Sequence, residues 1–281
     1  MDEDRVRALL EEQHPDLAHR RLVLLDSGWD NFTFRLGSEL AVRLPRRQLA
    51  VEPIRNEQRW LPVLGPRLTL RVPVPVRTGR PGAGYPWPWS VVPWLPGRSA
   101  DRRPPADEQA PRLAEFLGAL HRPAPAEAPV NPFRGVPLRD RADAVERRLR
   151  RHRHRLPAGL TELWEESLRT AAPRERRWIH GDLHPRNLLV QGDALVGVID
   201  WGDLTAGDPA TDLAVAWMLF ESAAARRTFL QECGPDTAMI ARARGWAVLF
   251  GATLLDTEEP EHAPVGANTL RRLAEDRQDG R

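Results

Sequence analysis

The sequence contains no lysine: all 41 of its lysine-plus-arginine positions are arginine. That excludes a Schiff-base lysine, a lysine general base and the lysine of a phosphate-binding P-loop. It leaves arginine as the only permanently charged side chain for phosphate. The preference runs through the whole chain, so it singles out no individual arginine. Cysteine is nearly absent as well. With Cys233 alone, neither an internal disulfide nor a multi-cysteine zinc or iron–sulfur site can form, which fits a reducing cytoplasm. No uninterrupted apolar run approaches the ~18 residues that cross a bilayer. Met1 to Glu12 is charged where a signal peptide would be apolar, so the expectation is a soluble cytoplasmic protein with no membrane partner. Surplus charge is also missing. The formal net charge is +2 despite a pI near 9.4, which gives little general attraction to a polyphosphate backbone. The arginine-rich run from Glu146 to Arg155 has no helix-turn-helix, zinc or RNA-binding signature beside it, and no nucleic-acid partner is expected. His152 and His154, two apart, would face different sides of a helix and make a poor metal pair.

What is present divides in two. Residues 2–13 place Val6, Leu9 and Leu10 on one helical face behind a first turn of acids. From Arg21 the period shortens, and the stretches 22–26, 32–37 and 40–45 read as three strands joined by turn-forming residues. A helix over 53–64 and two further strands near 70–76 and 89–95 complete a small β-rich region. After Pro96-Gly97 the pattern turns helical, first over 107–121, where Leu113, Phe116, Leu117 and Leu120 share a face, then within 139–170, 209–222 and 236–253. The 27 prolines stiffen the connections, notably across 122–138. The fold class is therefore α+β, with a boundary at 95/96.

The chemistry concentrates in Trp178-Ile179-His180-Gly181-Asp182-Leu183-His184-Pro185-Arg186-Asn187, followed after two apolar runs by Ile199-Asp200-Trp201-Gly202. Phosphoryl transfer needs a group that orients the acceptor hydroxyl and takes its proton. It also needs oxygen ligands for the Mg²⁺ that neutralises nucleotide phosphates. Leu188 to Val190 and Leu195 to Ile199, separated by Gln191-Gly192-Asp193-Ala194, should pair as a hairpin with Asn187 and Asp200 roughly opposite each other as metal ligands. Asp182, on the irregular loop before the hairpin, stands where a catalytic base belongs. His180 reads as a buried, hydrogen-bonded scaffold residue.

These residues resemble the aminoglycoside phosphotransferase family, with its macrolide-phosphorylating and choline-kinase-like relatives. His180-Gly181-Asp182 with Asn187 is similar to the family's catalytic loop and Ile199-Asp200-Trp201 to its metal-binding strand end. Gly207-Asp208-Pro209-Ala210-Thr211-Asp212-Leu213-Ala214 is similar to its next helix. The resemblance implies a two-lobed protein-kinase-like fold, with a small β-rich N-terminal nucleotide-binding lobe (1–95, hinge near 90–97) and a larger, mainly helical catalytic and substrate-binding lobe (96–281). It implies that Asp208 and Asp212 brace the catalytic loop, that ATP or GTP is the co-substrate, and that a hydroxylated small molecule is the acceptor.

By the same resemblance Ser27, Gly28 and Asn31 cover the phosphates from the first hairpin, and Arg43 occupies the place of the family's phosphate-contacting lysine. Glu57, fourteen residues on, is its ion-pair partner. Val92 or Trp94 then donates to the purine edge, because Pro93 has no N–H. The acceptor side would draw on acids of the C-terminal half, Asp203, Glu221, Asp256, Glu258, Glu259 and Glu261, with Asp203 and Glu221 as named contacts attracting a polycationic sugar. Three readings follow: an antibiotic kinase, a metabolic kinase of an amino alcohol or sugar, and a nucleotide-binding pseudokinase regulator. Monomer and homodimer are both compatible with the sequence.

Overall fold

The computed structural model describes residues 1–27, 30–173, 175–257 and 261–278. The chain forms two compact units, Met1–Pro96 with Gly197–Gly202, and Gly97–Val196 with Asp203–Arg281. The first crossing from one unit to the other falls between Pro96 and Gly97. The segment Gly197–Gly202 was expected in the C-terminal lobe, yet it belongs with the first unit and takes Asp200 there.

The first unit opens with α1 (Glu3–Gln13), capped by Asp2, whose side chain accepts from the Arg5 N–H. Eleven residues make a marginal helix in water. What holds it is its buried face of Val6, Leu9 and Leu10, worth roughly 1.5–3 kcal/mol per side chain. Pro15 starts the four-residue helix α2 (Pro15–Ala18). Five strands follow, β1 (Leu22–Ser27), β2 (Asn31–Leu36), β3 (Leu40–Pro45), β4 (Arg77–Gly79) and β5 (Trp89–Pro93). They form one sheet in the order β1-β2-β3-β5-β4. Alternation puts Phe34, Leu36, Val42, Leu44, Trp89 and Val91 into one core with the α1 residues. Helix α3 (Val51–Leu64), between β3 and β4, buries Ile54, Leu61 and the charged Glu57.

The run at 70–76 is not a strand. Pro73 and Pro75 remove two ladder donors. Only Arg71 makes an isolated parallel bridge, to Gly197, and the strand proper starts at Arg77.

The second unit contains β6 (Arg98–Ser99), α4 (Ala110–Leu120), α5 (Ala142–Arg151), α6 (Leu160–Arg169), β7 (Arg177–Ile179), β8 (Leu188–Gln191), β9 (Ala194–Val198) and β10 (Thr205–Gly207). The helices α7 (Ala210–Leu213), α8 (Val215–Leu219), α9 (Ala223–Cys233), α10 (Thr237–Leu255) and α11 (Ala263–Gln278) complete it. The tip of β9 carries the chain back toward the first unit. In α4 the expected Leu113, Phe116, Leu117 and Leu120 are all buried. Helix α10 is apolar enough in length and composition to cross a membrane, yet 61% of it is buried inside the protein, where it serves as the central core helix. Its Gly245 and Gly251 admit close neighbours: a Cβ at Gly251 would lie 2.7 Å from Leu270 of α11. The hairpin β8–β9 joins β6 in a three-stranded sheet, and β7 pairs antiparallel with β10.

Candidate active site

The loop 180–187 leaves β7 directly, so the β7–β10 ladder fixes where it starts. A glycine lets it pass. Gly181 has φ +86°, and a Cβ there would sit 2.6 Å from the Asp203 carbonyl, so the close approach of the two segments requires glycine. Behind the loop, Asp212 is fully buried and accepts the amides of His180 (2.8 Å) and Gly181 (2.9 Å). His121 Nε2 lies 3.0 Å from Oδ2, the same oxygen that accepts the His180 amide. Two backbone bonds to a buried carboxylate are charge-assisted and hold the peptide at 180–181 rigidly. Asp208 acts one layer further out, capping the Ala210 amide and pairing with Arg242 Nε at 2.7 Å. His180 itself is fully buried, with Nδ1 3.3 Å from the Asp182 amide.

Asp182 is held on both carboxylate oxygens. Arg134 Nη2 donates to Oδ1 at 2.7 Å, and His184 Nε2 lies 3.3 Å from Oδ2. His184 Nδ1 accepts the Arg186 amide, which leaves the ring proton on Nε2, facing the carboxylate. Burial alone would push the Asp182 pKa up, but the Arg134 guanidinium and His184 outweigh it and hold the carboxyl far below its ordinary range. Arg134 also donates from Nε to Asp203 Oδ2 at 3.0 Å. Asp203 is pushed up by burial and by Asp182, against the pull of Arg134. Arg134 went unseen in the sequence. It lies 48 residues from Asp182 in a proline-rich connection, and one arginine among 41 carries no mark. Asn131, three residues earlier in Asn-Pro-Phe-Arg-Gly, is the one local signal, an Asx turn that orients the loop.

Asn187 closes the 3-10 turn Pro185–Asn187, and its Nδ2 donates to the Asp182 carbonyl at 2.9 Å. That fixes the amide's orientation and leaves Oδ1 as the atom a hard cation can take. In the first unit Asp200 has φ +60°, a left-handed conformation that, glycine apart, few residues except asparagine and aspartate adopt. Its carboxylate is 59% exposed, with Arg43 Nη2 3.8 Å away. An amide oxygen and a carboxylate oxygen are each donors of the kind Mg²⁺ accepts when phosphate oxygens and water complete its shell, so each residue by its chemistry fits the ion.

Arg43 donates to Glu57 Oε2 at 2.5 Å, with Glu57 only 1% exposed. Burial pushes Glu57 upward while Arg43 opposes it. Burial works against the Arg43 charge too, but Glu57 and Asp200 outweigh it and raise its pKa. Arg43, Glu57 and Asp200 therefore form one cluster, from β3, α3 and the returning segment.

Other expected residues fall elsewhere. Gly28 and the Ser27 side chain lie outside the described residues. The Asn31 side-chain oxygen is buried without a hydrogen-bond partner among the described residues. The Trp94 amide donates to Glu39 at 2.7 Å, which removes it as a purine donor. Val92, opposite Ala41 and two residues back, presents its N–H to the same neighbouring strand. Glu221 is not part of the Asp182 cluster: Arg271 and Arg272 take it at 2.5 and 2.6 Å. Asp256 is bound by Arg151 and His152, and Glu261 by Arg186. The expected acidic face is thus largely neutralised by arginine. Glu258 and Glu259 lie outside the described residues.

A β-sheet unit with a buried Arg–Glu pair and a helical unit with an aspartate–asparagine loop together make a kinase-like α+β fold. Solved structures agree. The GDP complex of wild-type aminoglycoside 2'-phosphotransferase-IIIa matches with a TM-score of 0.71 at 19% identity, covering 99% of this chain and 100% of that one. Macrolide 2'-phosphotransferase MphH from Brachybacterium faecium matches with a TM-score of 0.61 at 23% identity, covering 95% and 97%. The family model for the phosphotransferase enzyme family matches residues 21–246. The chain belongs to that family. An uncharacterized protein, YcbJ of Bacillus subtilis (strain 168), is 28% identical over 200 residues, or 66% of this chain. The matched region spans 64% of that relative's length.

Proposed function

We propose that the chain is an ATP- or GTP-dependent kinase that moves the nucleotide γ-phosphoryl group to a hydroxyl of a small molecule, an aminoglycoside or another antibiotic, in the cytoplasm. The observation that carries this reading is the Asp182 carboxylate, held on a loop braced by Asp212 and continued by an asparagine whose amide oxygen is left for a cation. Asp182 accepts the acceptor's hydroxyl proton as the new O–P bond forms and the bond to the nucleoside diphosphate breaks. A weakly basic carboxylate suffices, because in a loose transition state orientation matters more than early proton abstraction. Magnesium held by Asn187 and Asp200 would neutralise the β- and γ-phosphate oxygens. Arg43, positioned by Glu57, supplies the cation for the phosphates that lysine cannot supply in this sequence.

A second reading, a metabolic kinase of a sugar or amino alcohol, is favoured by one observation. Glu221, Asp256 and Glu261 are paired with arginines, which leaves less free negative charge for a polyammonium acceptor. A nucleotide-consumption assay over aminoglycosides, macrolides and hydroxylated metabolites tests both. Turnover of an antibiotic, lost by ~10²–10⁴-fold in Asp182→Ala, is the expected outcome. Turnover of metabolites alone moves the assignment to the second reading. Equal slow nucleotide hydrolysis in both proteins, with no acceptor turned over, would make the chain a nucleotide-binding module.

A further inference from the structure

The bonds around the loop 180–187 divide by what they hold. Asp212 holds the amides of His180 and Gly181, and Asn187 holds the Asp182 carbonyl; these fix the backbone. Arg134 does something else. It bonds the Asp182 carboxylate itself, at Oδ1, opposite His184 at Oδ2. A carboxylate that turns freely about its last torsion presents its lone pairs in no fixed direction; two donors on opposite oxygens stop that rotation. A carboxylate has about four acceptor positions, so each oxygen keeps one for an incoming hydroxyl.

Arg134 is itself built into place. Its segment docks along β10: the Pro129 carbonyl accepts the Ala206 amide at 2.9 Å, and the Gly135 carbonyl accepts the Asp208 amide at 3.0 Å. The approach is so close that a Cβ at Gly135 would lie 2.7 Å from the Gly207 Cα. Asn131 Oδ1 accepts the Phe133 and Arg134 amides at 2.8 and 3.2 Å, while its Nδ2 donates to Asp203 at 2.7 Å. The guanidinium then lies between Asp182 and Asp203, with its Cζ 5.1 Å from the centroid of the Phe250 ring. Arginine's planar fork can bond two carboxylates at once from Nε and Nη2, which a lysine ammonium cannot reproduce in the same geometry.

We propose that Arg134 is the positioning residue of the catalytic base: braced by Asp203 and Asn131, it holds the Asp182 carboxylate in the orientation that meets the acceptor hydroxyl. The proposal rests on the kinase reading, with Asp182 as base. Misplacing a reacting group by about 1 Å can cost ~10²-fold in rate, and that sets the scale of the effect.

The test is the full-length protein with Arg134→Ala, Arg134→Lys and Asp203→Asn, assayed for kcat and for the KM of the nucleotide, with a crystal structure of Arg134→Ala. The expected result is a fall in kcat of roughly 10–100-fold in Arg134→Ala, with the nucleotide KM within about twofold of wild type. Arg134→Lys should recover part of that loss, as should guanidinium ion added at non-denaturing concentration to Arg134→Ala. Asp203→Asn should show a smaller loss in the same parameter. In the crystal, the Asp182 carboxylate should have left its Arg134-bound orientation. An unchanged kcat, a loss confined to KM, or an Asp182 carboxylate that keeps its orientation without Arg134 overturns the proposal. If Arg134→Ala does not fold, Arg134→Lys and Asp203→Asn carry the same kcat comparison. If the wild-type protein transfers phosphoryl to no acceptor, the kinase reading fails on its own, and the crystal comparison still decides whether Arg134 sets the carboxylate.

Discussion

Arg43 shows how one residue can carry two demands. It pairs with a glutamate that is 1% exposed and lies 3.8 Å from Asp200, so it both compensates a buried charge and lines the expected phosphate site. Removing one partner of such a pair leaves the other charged and desolvated. Arg43→Ala should therefore destabilise the protein by about 3–5 kcal/mol, read from denaturant unfolding. Arg43→Lys should cost far less, since an ammonium still reaches Glu57. A loss below ~1 kcal/mol in Arg43→Ala would mean that Glu57 is protonated or hydrated in the fold. The fourteen-residue spacing from Arg43 to Glu57 was visible in the sequence because strand and helix were each legible. Arg134 was not, because nothing local ties a loop arginine to an aspartate 48 residues downstream; that contact exists only after β7 and β10 have paired.

At the scale of elements, legibility followed periodicity. Helix α1, the three strands β1–β3 and helix α4 announce themselves by apolar spacing, and in the two helices the structure buries the residues that spacing picks out, whereas Leu24 and Leu25 of β1 stay exposed. The run at 70–76 misled because apolar β-branched residues outweighed Pro73 and Pro75, whose missing N–H groups keep the segment out of the sheet. Helices α9 and α11 escaped notice. Their buried positions include charged side chains, Arg226, Arg272 and Asp276, which pair inside the unit: Arg226 Nη2 meets Asp276 Oδ1 at 2.5 Å. A similar device joins α5 to α10. Asp256 ends α10, where a carboxylate is disfavoured by the helix dipole, yet Arg151 and His152 reach it at 2.8 Å. Burial opposes the Asp256 charge, but the hydrogen bonds from His152 and Arg151 prevail and hold its pKa below the ordinary 3.8. A depressed acid contributes stability above its unfolded pKa and loses it as pH falls through the folded value. Asp256→Asn should consequently lower Tm near pH 7, by a deficit that begins to shrink once pH falls below the ordinary 3.8 and vanishes below the depressed folded value, in thermal scans across the acid range. An equal deficit at every pH would show that packing, not charge, accounts for the junction.

The molecule as a whole is assembled from two units that do not correspond to two stretches of chain. Trp201 is fully buried, and its indole N–H donates to the Val198 carbonyl within the returning segment 197–202. Residues 1–96 expressed alone lack that segment, the Arg71–Gly197 bridge and the third member of the Arg43–Glu57–Asp200 cluster. They should give a less stable sheet than the same residues in the full protein, measured by amide exchange in β3 and β5. Equal protection would show that the first unit is self-sufficient. The interleaving also bears on how such a gene can be recombined. A single crossover near the codon for Gly97 would join the Arg43 and Glu57 of one parent to the Asp200 of the other. Moving the first unit whole from one parent to the other needs exchange at three joints, at 96/97, 196/197 and 202/203.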